Sequence, residues 1–313
     1  MSTKKSDHHS ARLRHTSRRS DLEGQQHDDG KASKGLSKKK QQGKHTVLYI
    51  GIILYAALRF LYRFLLGPQT FISCDDDQHL VKIQHDFLSE KEYQDLVQCT
   101  LQHPRLHGKN ALNDGAFSNT KGFVVKFNSQ GVSRFVQHPD YADCFGSLFE
   151  RLRLPDTNAF VFNALVCEPF PLTEQEISLK DYTRLEKKTA VGLHLDQTVG
   201  MDGSNRHDFL AHQVNVMYVD VPEDMVGGSL ELWRYGDWRS SHVKYPHETV
   251  KPSKNTMVAF RGDSYHQVKA YHSNLNSTAR LSLVLEQYKI RNGRHAAKTI
   301  EWAEEFKQEN PHS

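Results

Sequence analysis

The chain has 313 residues, 37% hydrophobic and 25% charged, enough for one core of ordinary size with appendages but not for two large ones. Its formal net charge of +4 originates in the first 45 residues, which carry twelve Lys and Arg against five acids, and the remainder is close to neutral. A folded part without a basic stripe argues against a surface that neutralises phosphates, so no nucleic-acid partner is expected.

Residues 1–45 lack aliphatic periodicity, are rich in Lys, Arg, Ser, His and Gln, and include Lys38-Lys39-Lys40, the pattern of a disordered basic tail. The sequence then changes to VLYIGIILYAALRFLYRFLLG. Val47 to Leu66 gives 20 residues broken only by Arg59 and Arg63, which at 1.5 Å per residue reach across a bilayer core of about 30 Å. The arginines fall in the last third, where their stems can snorkel to an interface marked by Tyr55 and Tyr62. Residues 46–66 are therefore expected to form a single transmembrane signal-anchor helix. The long positive stretch before them, and the lack of a small-residue cleavage site after Leu66, argue against a cleaved signal peptide. An interfacial amphipathic helix is the alternative.

The charge asymmetry puts the amino terminus in the cytosol and makes this a type II protein, with its folded part in the lumen of the endoplasmic reticulum or Golgi. Residues 67–78, with the CDDD run from Cys74 to Asp77, read as a linker. Cys74, Cys99, Cys144 and Cys167 show no CxxC spacing; two bridges would allow three pairings, and buried free thiols are the alternative. The sequon Asn276-Ser277-Thr278 is compatible with a lumenal address.

The folded domain is expected over 79–313. HLVKIQHDF reads as a strand, and the helix after it starts on a capping box from Ser89 to Glu92. KGFVVKF and NAFVFNALVCE read as strands and YADCFGSLFERL as a helix. From Gly192 onward, β-rich runs alternate with Gly, Pro, Asn and Asp, the signature of a sandwich or barrel, and Ala296 to Gln308 is expected to be a closing helix.

The chemistry is concentrated in this half. In Gly192-Leu193-His194-Leu195-Asp196, alternate residues of an extended segment put His194 and Asp196 on one side, within reach of one metal. A hydrogen-bonded core histidine is the plainer reading of His194 alone. His266, 72 positions after His194, starts another strand and supplies a third ligand. Two histidines and one carboxylate leave coordination positions open, as Fe(II) oxygenase chemistry requires, whereas a structural zinc site closes its sphere with four protein ligands. Arg280 opens RLSLVLEQY fourteen residues beyond His266, and Ser282 points the same way. A buried guanidinium needs an anion, either a carboxylate ligand held by its planar fork or an acid of the chain such as Glu286.

In these features the sequence resembles the prolyl 4-hydroxylase-like branch of the 2-oxoglutarate and Fe(II)-dependent oxygenase superfamily. The likeness runs from about residue 80 to 290. It rests on VKIQHDFLSEKEYQDLV, the HLD motif, GGSLELW behind Gly227-Gly228, His266, and Arg280 followed by Ser282. The resemblance implies a mainly β fold with flanking helices (α+β), built on a double-stranded β-helix, or jelly-roll. It implies Fe(II) held by His194, Asp196 and His266, and 2-oxoglutarate held by Arg280, Ser282 and Tyr218. Further implications are O2 as oxidant, ascorbate as helper, and hydroxylation of a C–H bond, in a peptidyl proline or another protein residue, with release of succinate and CO2. Asp196 favours hydroxylation, because halogenating relatives lack the carboxylate.

Three departures separate the chain from a standard prolyl hydroxylase: a long stretch between His266 and Arg280, insertions at Pro169–Thr189 and Gln197–Leu210, and Cys167-Glu168-Pro169 where relatives often carry a tyrosine. Loops at such a mouth set substrate choice, here a protein, peptide or small molecule. A jelly-roll module that binds metal or ligand without catalysis, and a membrane adaptor, are the competing classes. Trp233, Tyr235 and Trp238 read as core or rim packing, or as an aromatic patch facing substrate.

Overall fold

The computed structural model describes residues 48–58, 61, 69–71, 74, 79–107, 109–110, 116–117, 120–201, 207–234, 245–274 and 279–307. The chain divides into two compact units, Met1–Leu61 and Tyr62–Ser313. The expected basic tail, the sequon, Tyr235 and Trp238 lie outside the described residues.

In the first unit, residues 48–58 form a helix, α1, whose Leu48, Ile50, Ile53, Leu54 and Leu58 are all exposed. Among the described residues no helix is long and apolar enough to cross a membrane. Residues 46–47, 59–60 and 62–66 of the expected span lie outside them.

The second unit begins with β1 (Gln69–Phe71) and β2 (Val81–Gln84), followed by α2 (Glu90–Gln102), which starts on the Ser89–Glu92 capping box. Next come β3 (Lys109–Asn110), β4 (Thr120–Asn128), α3 (Val132–Gln137), a π-helical turn (Ala142–Gly146), α4 (Ser147–Leu152) and β5 (Ala159–Cys167). Two short helices, α5 (Glu174–Leu179) and α6 (Thr183–Glu186), precede β6 (Thr189–His194), β7 (His207–Phe209), β8 (Gln213–Asp220), β9 (Val226–Gly227) and β10 (Leu230–Trp233). The chain continues through β11 (Glu248–Val250), β12 (Thr256–Arg261), β13 (Tyr265–Lys269), β14 (Tyr271–His272), β15 (Arg280–Tyr288), α7 (Gly293–Ala296) and β16 (Trp302–Lys307).

Two sheets carry the domain. The larger runs β16-β3-β4-β5-β15-β8-β12-β2 and the smaller runs β11-β10-β13-β6. Along the chain β5, β8, β12 and β15 belong to the large sheet, while β6, β10, β11 and β13 belong to the small one. That alternation is the connectivity of a double-stranded β-helix, the fold expected from the sequence.

The large sheet is covered on both faces, which is why its central strands β5, β15 and β8 are buried along nearly their whole length. On one face Phe123, Phe127, Phe160, Phe162 and Leu283 pack with Phe135, Phe145 and Phe149 from the helical layer. On the other, Val161, Val216, Tyr218 and Val258 meet Leu230, Leu232 and Val250 of the small sheet. The period of two decides what each strand offers. On β15, Leu281, Leu283 and Leu285 face the helices, so Arg280, Ser282, Val284 and Glu286 face the space between the sheets.

One disulfide joins Cys99 on α2 to Cys144 in the π-helical turn, and Cys74 and Cys167 are free. The expected helix over Ala296–Gln308 is not formed: α7 ends at Ala296 and the chain becomes β16, antiparallel to β4 and β3. The Ala/Glu/Lys composition favours a helix, but β4 has an open edge whose backbone groups need partners, and tertiary pairing overrides propensity.

Candidate metal centre

The three expected ligands converge. His266 pairs directly with His194 across the β6–β13 ladder, which puts the ring centroids 4.1 Å apart. Asp196 follows two residues later, and its oxygens each lie 3.4 Å from one imidazole Nε2. One ligand atom from each residue falls within a common 4.8 Å.

The orientation of the rings comes from backbone carbonyls. Nδ1 of His194 donates to the Gly192 carbonyl at 2.8 Å, and Nδ1 of His266 donates to the Ser264 carbonyl at 3.0 Å. A carbonyl only accepts, so Nδ1 carries the proton in both rings and Nε2 keeps its lone pair toward Asp196. Two lone pairs aimed at a carboxylate make no hydrogen bond, and Asp196 Oδ2 is fully buried without a partner. A divalent cation among the three satisfies that oxygen and both nitrogens, so the donor set fits Fe(II).

The electrostatics agree. Burial pushes His266 down to about 4, aided by His194, so it stays neutral and able to ligate. Burial works to raise the Asp196 carboxyl, but the two imidazoles beside it, as sites for positive charge, hold it below its ordinary range. Burial opposes protonation of His194 too, but the Asp196 carboxylate beside its Nε2 raises its affinity for a positive charge, which a metal ion there would supply in place of a proton. Phe117 sits edge-on to His194 and Phe260 to His266, both at 4.8 Å, packing the rings from the side.

The triad opens on a cavity between the sheets, also lined by Tyr218, Arg280, Ser282 and Glu286. Arg280 is 1% exposed, and its bonding partners are neutral: NH1 donates to the Gly228 carbonyl at 2.7 Å and NH2 to Cys167 Sγ at 3.4 Å. Gly228 has φ +78°, a conformation other residues resist, and it turns this carbonyl toward the guanidinium. Tyr271 fixes the base of the strand, accepting from the Arg280 backbone N–H and donating to the Cys167 carbonyl. Arg280 Nε and Ser282 Oγ are buried without partners. Tyr218 pairs with Ser282 across the ladder, and burial raises its phenol to about 12 against the pull of Arg280. The chain's own alternative for Arg280 is not realised. Glu286 accepts instead from Thr198 Oγ1 at 2.6 Å and from the Tyr288 hydroxyl.

The insertions noted in the sequence have secondary structure and side-chain ties of their own among the described residues. Ahead of β6, α5 starts on a Thr173–Glu176 capping box, and Arg184 ties Glu176 to the Pro171 carbonyl. Behind Asp196, Thr198 is held by Glu286 and Tyr288. Residues 202–206 lie outside the described ones. Sequence reasoning missed Phe117, Tyr271 and the Cys167–Arg280 contact. It also passed over Asn163, a polar residue 2% exposed within the apolar β5 that lines the cavity; its position in AFVFNALV is the signal that could have found it.

No family model matches the sequence, and no curated protein matches it. Among solved structures the chain is similar to a Pseudomonas putida prolyl-4-hydroxylase, at 15% identity and TM-score 0.41, covering 68% of this chain and 94% of that one. It is similar to an oxidoreductase of the 2OG-Fe(II) oxygenase family from Burkholderia pseudomallei, at 11% identity and TM-score 0.38, covering 72% and 98%. A third is a Trichoplax adhaerens prolyl hydroxylase, at 13% identity and TM-score 0.38, covering 71% and 87%. At such identities and scores, function has to be read from the residues of this chain.

Proposed function

We propose that this chain is a membrane-anchored, 2-oxoglutarate-dependent Fe(II) dioxygenase that hydroxylates a C–H bond and releases succinate and CO2. Arg280 carries the reading. It is a fully buried cation with no acid partner among the described residues, it faces the cavity of the His194–Asp196–His266 cluster, and its Nε is unpaired. A guanidinium so placed calls for a planar anion, and Arg280 and Ser282 would hold the distal carboxylate of 2-oxoglutarate through their unpartnered Nε and Oγ.

Fe(II) bound by the three ligands would supply activation of O2, coupled to oxidative decarboxylation of 2-oxoglutarate. The chain's own part is geometry and exclusion of water. The Gly192 and Ser264 carbonyls lock both imidazoles in the ligating tautomer, and Phe117 and Phe260 hold the rings in place. Asp196 supplies the anionic ligand, and Val191, Val216 and Leu230 keep the cavity apolar around it. Ascorbate is proposed as the reductant that keeps the iron ferrous.

Membrane anchoring through residues 46–66, and a lumenal catalytic domain, belong to the same proposal. The exposed apolar α1, the basic residues ahead of it and the Cys99–Cys144 disulfide support them, since structural disulfides persist in oxidising compartments. The test is succinate formation by the full chain in detergent with Fe(II), ascorbate, 2-oxoglutarate and candidate substrates, prolyl peptides included. Turnover that survives in both His266→Ala and Arg280→Ala would refute the assignment.

A further inference from the structure

Glu286 is a buried acid in the same cavity, and neither the metal cluster nor the co-substrate site uses it. It is 2% exposed, and Thr198 and Tyr288 both donate to its Oε2. Oε1 receives no hydrogen bond from a described residue, and no Lys, Arg or His forms an ion pair with the carboxyl among them. It does not belong to the cluster of ligand atoms formed by His194, Asp196 and His266.

Its place on β15 separates it from the co-substrate. Arg280 and Glu286 are six residues apart on one face of the strand, about 20 Å at 3.3 Å per residue. A five-carbon diacid spans at most about 6 Å between its end carbons. Once anchored at Arg280 it leaves Glu286 uncovered, at the other end of the cavity-facing row. A carboxylate withdrawn from water is unfavourable without a cation or further donors, and an N–H-bearing cation supplies both.

We propose that Glu286 is the recognition group for the primary substrate, which carries an ammonium or guanidinium close to the C–H bond to be oxidised. The inference deepens the dioxygenase reading and rests on it for the identity of the cavity. Thr198 and Tyr288 hold the carboxyl from one side so that Oε1 is left for the incoming cation.

The experiment is a calorimetric titration of the full chain in detergent, loaded with Mn(II) and 2-oxoglutarate. Probes are the N-acetyl amides of lysine, arginine and norleucine, then short peptides with the same three residues at the centre. Expected is roughly 10-fold or tighter binding of a cationic probe than of norleucine, the weight of one charge-assisted hydrogen bond. The single-residue and peptide arms then separate a small-molecule substrate from a polypeptide. Glu286→Gln keeps an acceptor for Thr198 and Tyr288 but removes the charge, and should bring the ratio to within about 2-fold, with 2-oxoglutarate affinity held. Equal binding of cationic and norleucine probes by the wild type overturns the proposal without any variant, as does a preference that survives Glu286→Gln. Failure of the wild type to bind 2-oxoglutarate overturns the dioxygenase reading instead, and is seen before any probe is added.

Discussion

Arg280 and Glu286 face the same cavity from one strand, six residues apart, and neither neutralises the other: the cation bonds to a carbonyl and a thiol, the acid to two hydroxyls. Opposite charges on one strand face usually mark a salt bridge. Here the extended backbone holds them too far apart to pair, so the guanidinium and the carboxyl each stay open to a ligand.

Removal of a metal ligand should weaken metal binding severely. Asp196→Ala and His266→Ala are each expected to lower Mn(II) affinity by on the order of 100-fold or more, since loss of mere outer-shell partners already costs 10–100-fold. Calorimetric titration with Mn(II) measures it. Asp196→Ala should also leave the fold intact, because it removes an oxygen that is buried and unpartnered.

Arg280→Lys should behave nearly as badly as Arg280→Met. A lysine replaces the planar fork with one point charge and loses the bond to Gly228. With charge-assisted hydrogen bonds contributing about 1.5–3 kcal/mol each, the 2-oxoglutarate dissociation constant should rise roughly 10- to 100-fold. Mn(II) affinity, read in the same titration, should not change.

The metal-free protein should lose stability as pH rises above neutrality. Burial, reinforced by the charge of Asp196, pushes the Glu286 carboxyl from 4.5 up to about 8. Between those two values the folded chain holds a proton that the unfolded chain has released, so stability falls with rising pH by up to about 1.4 kcal/mol per unit. His266, lowered to about 4 from 6.5, acts in the opposite direction, because there the unfolded chain binds the extra proton; its effect ends above 6.5. The net decline is therefore expected from about pH 6.5 to about 8. Melting temperatures of metal-free wild type across that window should drop, and those of Glu286→Gln should drop less.

The Cys99–Cys144 bridge closes a loop with a sequence separation of 45. On the chain-entropy account a loop of that size contributes about 4 kcal/mol. Cys99→Ser should lower the unfolding free energy by that order in urea titrations, and dithiothreitol should affect the wild type but not the variant. Phe135→Ala, at the centre of the aromatic layer and 0% exposed, should cost about 3–5 kcal/mol by the same measurement.

The site was largely legible because its chemistry is local. His194 and Asp196 are two apart on an extended segment, and Arg280 and Ser282 are two apart on β15, so a period of two puts each pair on one face wherever the strand goes. The β-rich half, the Ser89 capping box and the strands β4 and β5 were readable for the same reason. β16 was not. WAEEFK has good helix formers, and nothing in it records that the edge of β4 lies open beside it. The same limit applies to Glu286, which from sequence stays open as an alternative partner for Arg280 beside a carboxylate ligand.

What the sequence determined by itself is the set of residue types and their alternation: two histidines, an aspartate, an arginine and the runs that make sheets. What only the tertiary structure decided is which of them meet. The pairing of His194 with His266 spans 72 positions and depends on the register of β6 against β13. The loneliness of Arg280 depends on what the Gly228 turn between β9 and β10 and the end of β5 bring beside it, a carbonyl and a thiol rather than an acid. Burial and partnership are set by long-range packing, and those two quantities turn a charged residue into a binding site.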